Sequence, residues 1–598
     1  MHEHQDFVSL VRENIDAHGD DRSFTFISEE RLGRYKENVL GFAELDRRAR
    51  ALASRLQARG LQDRAVLLLY PEGLEFLAAF LGCLYARVIA VPAPLPDLDA
   101  GRFGRTRRII EDADITLILT DTAHRATIEA WLDGAGLERR VQALDTQAAD
   151  ETVPGPASWT PPGFGPDTLA FLQYTSGSTS DPKGVMVTHG NLLSNGEEIQ
   201  RRIEGTADTV GVGWVPHYHD MGLVGQVLQP LYLGCRYVFT SPITFIKRPV
   251  LWLELITRYR GTVTVAPNFG YELALRRVTD RQLEGLDLSS LRVVKNGAEP
   301  VRAATLERMS ERFAPVGFRP GMWMPCYGMA ETTLLVTAAP LGTGPVVRDF
   351  DADALTLDKA VPAPDGDAGA RRRLVSCGRP VTLDVGIVDP GTRARLPEEQ
   401  VGEIWVRGGS VARGYWENPA ASRATFGAHT SDGEGPYLRT GDLGFLAADG
   451  ELFVTGRIKD LIIVNGRNIH AHDVEETAGA AHPAALTGAA FVLDGGGVQE
   501  HVVIVQEIST RVAAGTPLDE LAALIKAEVA RAFELPALSV VLAGRGAVRR
   551  TTSGKTQRRQ TRDAFLRGQI TGLAGDLATD LPVTWNFSAD RKNHPNQS

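Results

Sequence analysis

The stretch TLAFLQYTSGSTSDPKG, residues 168–184, places a Ser/Thr/Gly-rich loop with one lysine directly after an apolar run. The run Thr168–Tyr174 predicts a β-strand, so the loop follows the carboxyl end of a strand, where open α/β sheets bind ligands. Small residues let backbone N–H groups and hydroxyls converge on phosphate oxygens, and Lys183 adds a positive charge. The stretch therefore predicts an α/β fold with a phosphate-binding loop. An ordinary Ser/Gly-rich surface loop is the alternative that composition alone leaves open.

The composition of the chain is that of a large globular protein. It has 598 residues, of which 43% are hydrophobic and 23% charged, so we expect two or more domains, each with its own core. A net charge of −10 argues against nucleic-acid binding, which needs a broad basic surface. No basic segment followed by an apolar one begins the chain, and the longest apolar run, 76–86, is far shorter than the ~20 residues of a membrane helix. We therefore expect a cytoplasmic protein without a membrane span.

The first half of the chain alternates strand-like and helical segments. The runs 65–69 and 88–91 are short and apolar, and the segment 73–86 between them has helical length and periodicity. The same βαβ pattern recurs around 106–120 and 291–313. This alternation is typical of parallel sheets covered by helices.

The segment after residue 458 has a different pattern. Two strand-like runs, 488–493 and 501–507, flank the turn sequence DGGG and predict a hairpin, and 518–533 predicts an amphipathic helix. We therefore expect an α/β protein with a large N-terminal domain of mostly parallel sheets covered by helices and a small α+β C-terminal domain. The expected boundaries are 1–458 for the large domain, 459–575 for the small domain and 576–598 for a tail.

Four further motifs make the interpretation of the loop specific. They follow it along the chain as CYGMAETT (326–333), YLRTGDLG (437–444), GRIKDLI (456–462) and TTSGK (551–555). In this order the five segments resemble the adenylate-forming superfamily of acyl-CoA synthetases, nonribosomal-peptide adenylation domains and luciferases, and the resemblance covers nearly the whole chain. A Walker P-loop is disfavoured, because the Gly-Lys-Thr at 554–556 has Arg549 where the first glycine belongs.

Within this superfamily the chain is most similar to the fatty acyl-AMP ligases. The segments that carry this narrower resemblance are GWVPHYHDMGLVGQVLQPLYLG (213–234), APNFGY (266–271), VKNGAEPV (294–301) and NGRN (465–468). The resemblance implies ATP and Mg²⁺ as cofactors. It also implies that the small domain is mobile and turns about a hinge at Lys459.

The resemblance implies roles for the residues around the phosphates of ATP. Glu331 would ligate Mg²⁺, which prefers carboxylate and phosphate oxygens, and Thr332 would bind the α-phosphate. Lys555 would be the main catalytic residue, because an ammonium between carboxylate and α-phosphate neutralises charge in the transition state. The β- and γ-phosphates would be held by Thr175, Ser176, Gly177, Ser178, Thr179 and Lys183.

The alternative for Lys555 is a solvated lysine in a basic run. Residues 545–567 hold eight basic residues against Asp563, so charge alone favours this alternative, and the TSGK match decides against it. The superfamily usually has proline where this chain has Arg549, which leaves the rigidity of the loop open. The same run contains three candidates for steering an acidic carrier protein: Arg558, Arg559 and Arg562. A solvated basic helix is an equal alternative.

The remaining implied residues bind the nucleoside and the acyl group. Tyr327 offers an aromatic face to adenine, Asp442 can accept from the ribose hydroxyls, and Arg457 can donate to the sugar. The loop beside adenine and the acyl carbonyl contributes Gly297, Ala298 and Glu299. The acyl group would contact His219, Asn268 and Phe269.

Two histidine clusters raise the alternative of a metal site. They comprise His217, His219 and Asp220 in one segment, and His470, His472 and Asp473 in another. Neither has the HxHxDH spacing of a metallohydrolase, so metal ligation is the less favoured interpretation. The resemblance places the first cluster beside the acyl pocket, and the second is interpreted as the solvated start of a helix.

The resemblance implies a reaction in two halves. A fatty, apolar-tailed acid attacks the α-phosphate of ATP to give acyl-AMP and pyrophosphate. The acyl group then passes to the phosphopantetheine thiol of an acyl carrier protein or of a polyketide or nonribosomal peptide synthetase loading module. An acyl-CoA ligase and a catalytically silent scaffold are the alternatives.

Residues 338–375 form a segment longer than acyl-CoA synthetases carry at this place, and it resembles the insertion of the fatty acyl-AMP ligases. Long segments are rarely structureless in a compact enzyme unless they serve a function. We expect Leu355, Leu357 and Val361 to anchor the insertion to the large domain, where it would restrict the small domain and disfavour CoA as acceptor. A tolerated surface loop is the alternative.

Overall fold

The computed structural model describes residues 4–31, 33–96, 103–148, 158–175, 182–363, 370–464, 467–493, 501–513, 515–535, 537–551 and 555–577. Its helices are α1 (Phe7–His18), α2 (Phe42–Ala58), α3 (Leu74–Tyr85), α4 (Phe103–Asp112), α5 (Thr122–Gly134), α6 (His189–Ile203), α7 (Asp220–Gly222), α8 (Gln229–Leu233), α9 (Pro242–Lys247), α10 (Val250–Tyr259), α11 (Asn268–Arg277), α12 (Asp280–Leu283), α13 (Ala303–Phe313), α14 (Ala352–Thr356), α15 (Pro419–Phe426), α16 (Ala471–Ala480), α17 (Leu518–Phe533) and α18 (Arg558–Leu566). Among these described helices, none has both the length and the apolar composition needed to cross a bilayer.

The strands are β1 (Ser23–Arg31), β2 (Arg34–Gly41), β3 (Ala65–Leu69), β4 (Ile89–Ala93), β5 (Leu117–Thr120), β6 (Gln142–Asp145), β7 (Leu169–Tyr174), β8 (Gly184–Thr188), β9 (Val210–Gly213), β10 (Arg236–Thr240), β11 (Val263–Ala266), β12 (Val293–Asn296), β13 (Trp323–Gly328), β14 (Leu335–Ala338), β15 (Val347–Asp351), β16 (Arg371–Val375), β17 (Asp384–Val388), β18 (Gly402–Arg407), β19 (Leu438–Leu446), β20 (Leu452–Arg457), β21 (Leu461–Val464), β22 (Arg467–His470), β23 (Ala485–Leu493), β24 (His501–Ile508), β25 (Leu538–Ala543) and β26 (Gly572–Asp576).

The strand that precedes the Ser/Thr/Gly loop is β7, which lies in a six-stranded sheet of order β6-β5-β3-β4-β7-β8. Neighbouring strands of this sheet are parallel except for the β7–β8 pair. The β3 sequence AVLLL is buried throughout, because helices cover both faces of the sheet. The predicted strand at 65–69 is confirmed.

A second sheet has eight strands in the order β14-β13-β12-β11-β9-β10-β1-β2. Its central strands are parallel, and only the two end pairs are antiparallel. Successive residues of β12 face opposite sides: Val293 belongs to the core shared with the six-stranded sheet, and Val294 to the core under α10 and α13. The predicted α/β architecture of mostly parallel sheets covered by helices is confirmed.

The remaining sheets complete the large domain and build the C-terminal one. The four strands β17-β18-β19-β20 are antiparallel, whereas β23-β24-β25-β26 form a mixed sheet. One face of the mixed sheet packs on α16 and α17, and the other packs on α18. The predicted α+β character of the C-terminal domain is confirmed; the predicted DGGG turn lies outside the described residues.

The segment 338–375, predicted above to be an insertion and referred to by that name, contains β15, α14 and β16 in a small antiparallel unit. Phe350 and Leu355 are buried with Phe453 of the large domain, and the two phenylalanine ring centroids are 5.4 Å apart. Leu357 and Val361 are 60% and 45% exposed, so the expectation that they anchor the insertion is wrong. Leu357 and Val361 lie next to turns at the edge of the unit. The residues that anchor the unit to the large domain are Phe350 and Leu355.

Candidate active site

A continuous cleft of ≈ 3510 Å³ is lined by residues of both the large and the C-terminal domain. Thr175 and Lys183, which flank the Ser/Thr/Gly loop, line this cleft. Ser176, Gly177, Ser178 and Thr179 lie outside the described residues. The other predicted site residues on its wall are His219, Asn268, Phe269, Ala298, Glu299, Tyr327, Glu331, Asp442, Arg457, Lys459 and Lys555.

The three residues predicted for the nucleoside are in direct contact. Asp442 and Arg457 are cross-strand partners on β19 and β20, and Arg457 Nε donates to Asp442 Oδ1 at 2.9 Å. The Tyr327 hydroxyl, reaching across from β13, donates to Asp442 Oδ2 at 2.8 Å. Asp442 is buried, and its charge raises the pKa of Arg457. A fixed carboxylate between a ring and a guanidinium suits a sugar with adjacent hydroxyls.

Glu331 and Lys183 both contact Tyr415, a residue that was not predicted from the sequence. The Tyr415 hydroxyl donates to Glu331 Oε1 at 2.9 Å, and Lys183 Nζ lies 4.7 Å from the centroid of the Tyr415 ring. Burial raises the pKa of Glu331. Tyr415 reaches this place because it pairs with Val185 of β8, a long-range contact that no local motif announces. The lysine that flanks the loop and the predicted metal ligand are therefore neighbours.

Two predicted residues lie behind the cleft rather than on its wall. Thr332 is fully buried, and its hydroxyl donates to the Met329 carbonyl at 2.9 Å. A side chain at Gly297 would collide with Cys326, so glycine allows the loop to pass close to β13. Thr332 therefore does not present its hydroxyl to the cleft, and Gly297 makes no contact with it. Both residues still shape the site.

The loop after β12 is held by Asn268 at the start of α11. Its amide oxygen accepts from Asn296 Nδ2 at 3.1 Å and from the Arg302 backbone N–H at 3.2 Å, while its nitrogen donates to Thr305. Glu299 accepts from the Phe269 backbone N–H, and burial raises the pKa of this carboxyl. Asn268 is therefore engaged in positioning the loop that the sequence assigned to the acyl carbonyl.

Lys555 of the C-terminal domain extends into the cleft of the large domain. Burial and the neighbouring Arg457 lower its pKa, and the carboxylates of Asp220, Glu299 and Asp442 oppose this shift. One lysine therefore lies within electrostatic reach of the three regions predicted for the acyl group, the adenine loop and the ribose.

Lys555 is hydrogen-bonded to Thr551, and the chain has Arg549 where proline is usual in the superfamily. The Thr551 N–H donates to the Lys555 carbonyl at 2.8 Å, and the Lys555 N–H donates to Thr551 Oγ1 at 3.0 Å. Arg549 uses the N–H that proline would lack, donating to Thr561 Oγ1 of α18 at 3.0 Å. The loss of proline is thus offset by a hydrogen bond to the following helix.

The two histidines of the first cluster have different partners. His219 Nδ1 lies 2.6 Å from Asp220 Oδ1. Burial opposes ionisation of Asp220, but His219 and Lys555 hold its pKa at about 2. His217 Nδ1 instead lies 2.6 Å from Glu72 Oε2, and its ring stacks on Phe76. Among the described residues, no group of three His, Cys, Asp or Glu side chains has the arrangement of a metal site.

The second cluster is not a solvated face, and that interpretation is wrong. The predicted helix does begin here, as α16, but His470 is only 5% exposed, and burial raises the pKa of Asp473 to about 6. Arg372 of the insertion lies 3.1 Å from His472 Nε2 and 3.0 Å from Asp473 Oδ1. The cluster is buried because the insertion packs against it.

One of the three candidates for carrier steering on the basic helix α18 is engaged within the protein. Arg558 pairs with Glu475 of α16 at 2.7 Å and with Asp460 at 2.5 Å, so it is a structural cation and not a steering residue. Asp460 is adjacent to Lys459, the predicted hinge. Arg559 is exposed and stays a candidate for carrier steering.

Comparison with known proteins identifies the family of this chain. Residues 11–416 match the family described as AMP-binding enzyme, and the chain belongs to that family. Within it, the chain is similar to fatty acyl-AMP and fatty-acid ligases.

Three relatives illustrate this similarity. The medium-chain-fatty-acid–acyl-carrier-protein ligase JamA of Moorena producens is 42% identical over 92% of this chain and 93% of its own length. The putative fatty-acid–CoA ligase FadD21 of Mycobacterium tuberculosis is 35% identical over 95% of this chain and 99% of its own length. A fatty acyl-adenylate ligase from L. pneumophila, solved with acyl adenylate and pyrophosphate, is 35% identical, covers 96% of this chain and 98% of its own, and has a TM-score of 0.72.

Proposed function

We propose that this enzyme activates a fatty acid with ATP to acyl-AMP, releasing pyrophosphate, and then transfers the acyl group to the phosphopantetheine thiol of a carrier protein. The observation that carries the proposal is the position of Lys555. A lysine of one domain stands in the cleft of the other, within electrostatic reach of Asp220, Glu299 and Asp442. This arrangement suits a reaction between a carboxylate and a nucleotide phosphate.

The residues present fit ATP and Mg²⁺. Asp442 binds the ribose hydroxyls, Tyr327 stacks on adenine, and Lys183 neutralises the terminal phosphates. A Mg²⁺ ion carried by phosphates needs only one or two protein carboxylates, and Glu331 beside Tyr415 provides one. Bound there, the ion would neutralise phosphate charge.

The chain's own residues then have distinct tasks in the first half-reaction. Lys555 stabilises the negative charge that develops as the acid's carboxylate oxygen attacks the α-phosphate and pyrophosphate leaves. It needs no proton transfer for this task. Asp442 and Arg457 fix the ribose, so that the α-phosphate is held at a constant place beside Lys555.

A carrier protein is proposed as the acceptor because the insertion contacts the C-terminal domain at several polar points. Arg467 pairs with Asp353 at 3.0 Å, Asn468 donates to Asp358 at 2.9 Å, and Arg372 contacts Asp473. These contacts restrain the C-terminal domain, and a restrained domain disfavours the arrangement that CoA requires. The alternative acceptor is CoA itself, which the name of FadD21 favours.

The test is a panel of fatty acids with ATP and Mg²⁺, with acyl-AMP detected by mass spectrometry and pyrophosphate released in equal amount. The complete reaction is then offered CoA and a phosphopantetheinylated carrier protein in competition. We expect acyl-carrier to exceed acyl-CoA. A predominance of acyl-CoA would support the alternative acceptor, and the absence of acyl-AMP with every acid would leave a scaffold.

A further inference from the structure

Lys295 lies on β12, directly before the loop at 296–299, and its side chain borders the cleft. Side chains alternate along a strand, so Lys295 faces the same side of the sheet as Val293. Its neighbours on the adjacent strands are Val265 and Met324. Val293 and Met324 belong to the apolar core on this side. Lys295 therefore leaves the sheet among the apolar side chains of Val265, Val293 and Met324, and it borders the cleft.

No counter-ion accompanies this lysine in the part of the chain that the structure describes. The Cys326 thiol is the one titratable group there that acts on it, and burial lowers the pKa of Lys295 to about 8. An ammonium held among apolar side chains without a carboxylate costs free energy. Charges kept at such a cost are concentrated at functional sites. None of the roles proposed for the cleft residues involves Lys295.

Two further polar groups on the same side of the sheet lack hydrogen-bond partners among the described residues. The Tyr237 hydroxyl and Gln226 Nε2 are buried without a hydrogen bond to any described residue. A side chain at Gly213 would collide with both, so the two groups meet over this glycine. Tyr237 lies in the same core as Val293 and also borders the cleft. This side of the sheet therefore carries polar groups that no described residue pairs.

We propose that Lys295 is a specificity-determining residue that binds an oxygen substituent on the acyl chain of the substrate. The inference rests on the proposed function, in which the cleft activates a fatty acid. The substrate class is then a fatty acid with a hydroxyl, oxo or carboxylate group near its reacting carboxyl, since Lys295 is three residues from Ala298. Such an oxygen supplies the hydrogen bond or charge that the ammonium lacks.

The test compares a plain fatty acid of the best-accepted length with its 3-hydroxy, 3-oxo and 3-carboxy counterparts. The readouts are pyrophosphate release and acyl-AMP, expressed as kcat/KM for each acid. We expect wild type to favour at least one oxygen-bearing acid over the plain acid by ~10-fold or more, because a site built to bind an oxygen rejects the analogue without it. Which of the three acids is favoured identifies the substituent.

The deciding variant is Lys295→Met, which keeps the length of the side chain and removes its charge. The ratio of kcat/KM between the favoured and the plain acid should fall ~10-fold or more. Lys295→Gln should behave similarly, and Lys36→Met, on the surface strand β2, should leave the ratio unchanged. The Tm of Lys295→Met should equal or exceed that of wild type, because a half-buried charge without a counter-ion among the described residues is removed.

Two results would overturn the inference while leaving the proposed function intact. One is an equal ratio in wild type and in Lys295→Met. The other is an equal loss with all acids, the plain acid included, which would assign Lys295 to the reacting carboxylate. Absence of acyl-AMP with every acid would instead overturn the proposed function, and the inference with it.

The pH dependence of the ratio provides an independent readout in wild type. The Lys295 ammonium loses its charge as the pH rises through about 8. A preference for the 3-carboxy acid in kcat/KM, which reports the free enzyme, should therefore weaken between pH 7 and 9. The same profile should be flat in Lys295→Met, and a flat profile in wild type would contradict charge recognition.

Discussion

The proposed reaction depends most on the side chains of Lys555 and Tyr415. Lys555 brings a positive charge to a site that already contains Arg457, and the carboxylates around it oppose the lowering of its pKa. Tyr415 connects the predicted metal ligand Glu331 with Lys183 through its hydroxyl and its ring. Each therefore supports a prediction.

The substitution Lys555→Ala should reduce acyl-AMP formation by ~10²-fold or more, the usual loss when one transition-state donor is removed. ATP binding should be largely retained, because Asp442, Arg457 and Lys183 belong to the large domain. Pyrophosphate release and ATP affinity measure the two effects. Lys526→Ala is the matched control, since Lys526 pairs with Asp576 outside the cleft. Unchanged pyrophosphate release by Lys555→Ala would refute the assignment.

The substitution Tyr415→Phe should raise the Mg²⁺ concentration for half-maximal adenylation by ~10-fold, the lower range for losing a residue that orients a metal ligand. The ring remains for Lys183, so Tyr415→Leu should cost more than Tyr415→Phe. Mg²⁺ titrations of pyrophosphate release distinguish the two. Tyr35→Phe, on β2 outside the cleft, is the control. If Tyr415→Phe titrated like wild type, Glu331 would not depend on Tyr415.

At the scale of elements, the insertion, α16 and the segment after β20 form one polar contact region. Arg372 of β16 donates to the Thr455 carbonyl of β20 at 2.9 Å and pairs with Asp473 of α16. Within the C-terminal domain, Arg558 of α18 pairs with Asp460 beside the predicted hinge. The Arg372–Asp473 pair joins the insertion to the C-terminal domain, and we expect the acceptor specificity to depend on such contacts.

Breaking the outer contacts should change the acceptor without affecting the first half-reaction. Asp353→Ala combined with Asp358→Ala removes the partners of Arg467 and Asn468, so the C-terminal domain gains freedom. We expect the ratio of acyl-CoA to acyl-carrier product to rise while acyl-AMP formation persists. Asp449→Ala, which breaks the Arg348 pair between the insertion and the large domain, is the control. An unchanged ratio would favour a tolerated surface loop.

The substitution Lys459→Pro should slow acyl transfer more than adenylation. Proline fixes one backbone state and also restricts Ile458, whereas turning the domain requires a change of φ and ψ. Single-turnover rates of the two half-reactions measure the difference, and Lys459→Ala is the control that lacks the restriction. Equal slowing of both half-reactions would place the pivot elsewhere.

At the scale of the whole molecule, the sequence predicted what depends on local pattern. The helix predicted at 518–533 is present with those bounds, and the βαβ pattern predicted around 291–313 contains the helix Ala303–Phe313, because the apolar periodicity is complete within each segment. Asp442 and Arg457 were found because motifs carry them. Tyr415 was not found, since its role depends on pairing with Val185, far away in the chain. The burial of His470 was missed for the same reason.

The position of the small domain against the large domain accounts for both the place of Lys555 and the contacts of the insertion. The small domain places Lys555 within electrostatic reach of Asp442 of the large domain, an arrangement suited to adenylation, and the insertion contacts the small domain at Asp473 of α16. Acyl transfer would then require the small domain to turn, as Lys459→Pro tests.

The central claim is that a carboxylate oxygen attacks the α-phosphate of ATP in this cleft. The most direct measurement uses a fatty acid labelled with ¹⁸O in both carboxyl positions, together with ATP, Mg²⁺ and a phosphopantetheinylated carrier protein. Mass spectrometry of the products should find one ¹⁸O in the released AMP, one in the acyl thioester and none in pyrophosphate. AMP without label, or ADP as the nucleotide product, would contradict the account.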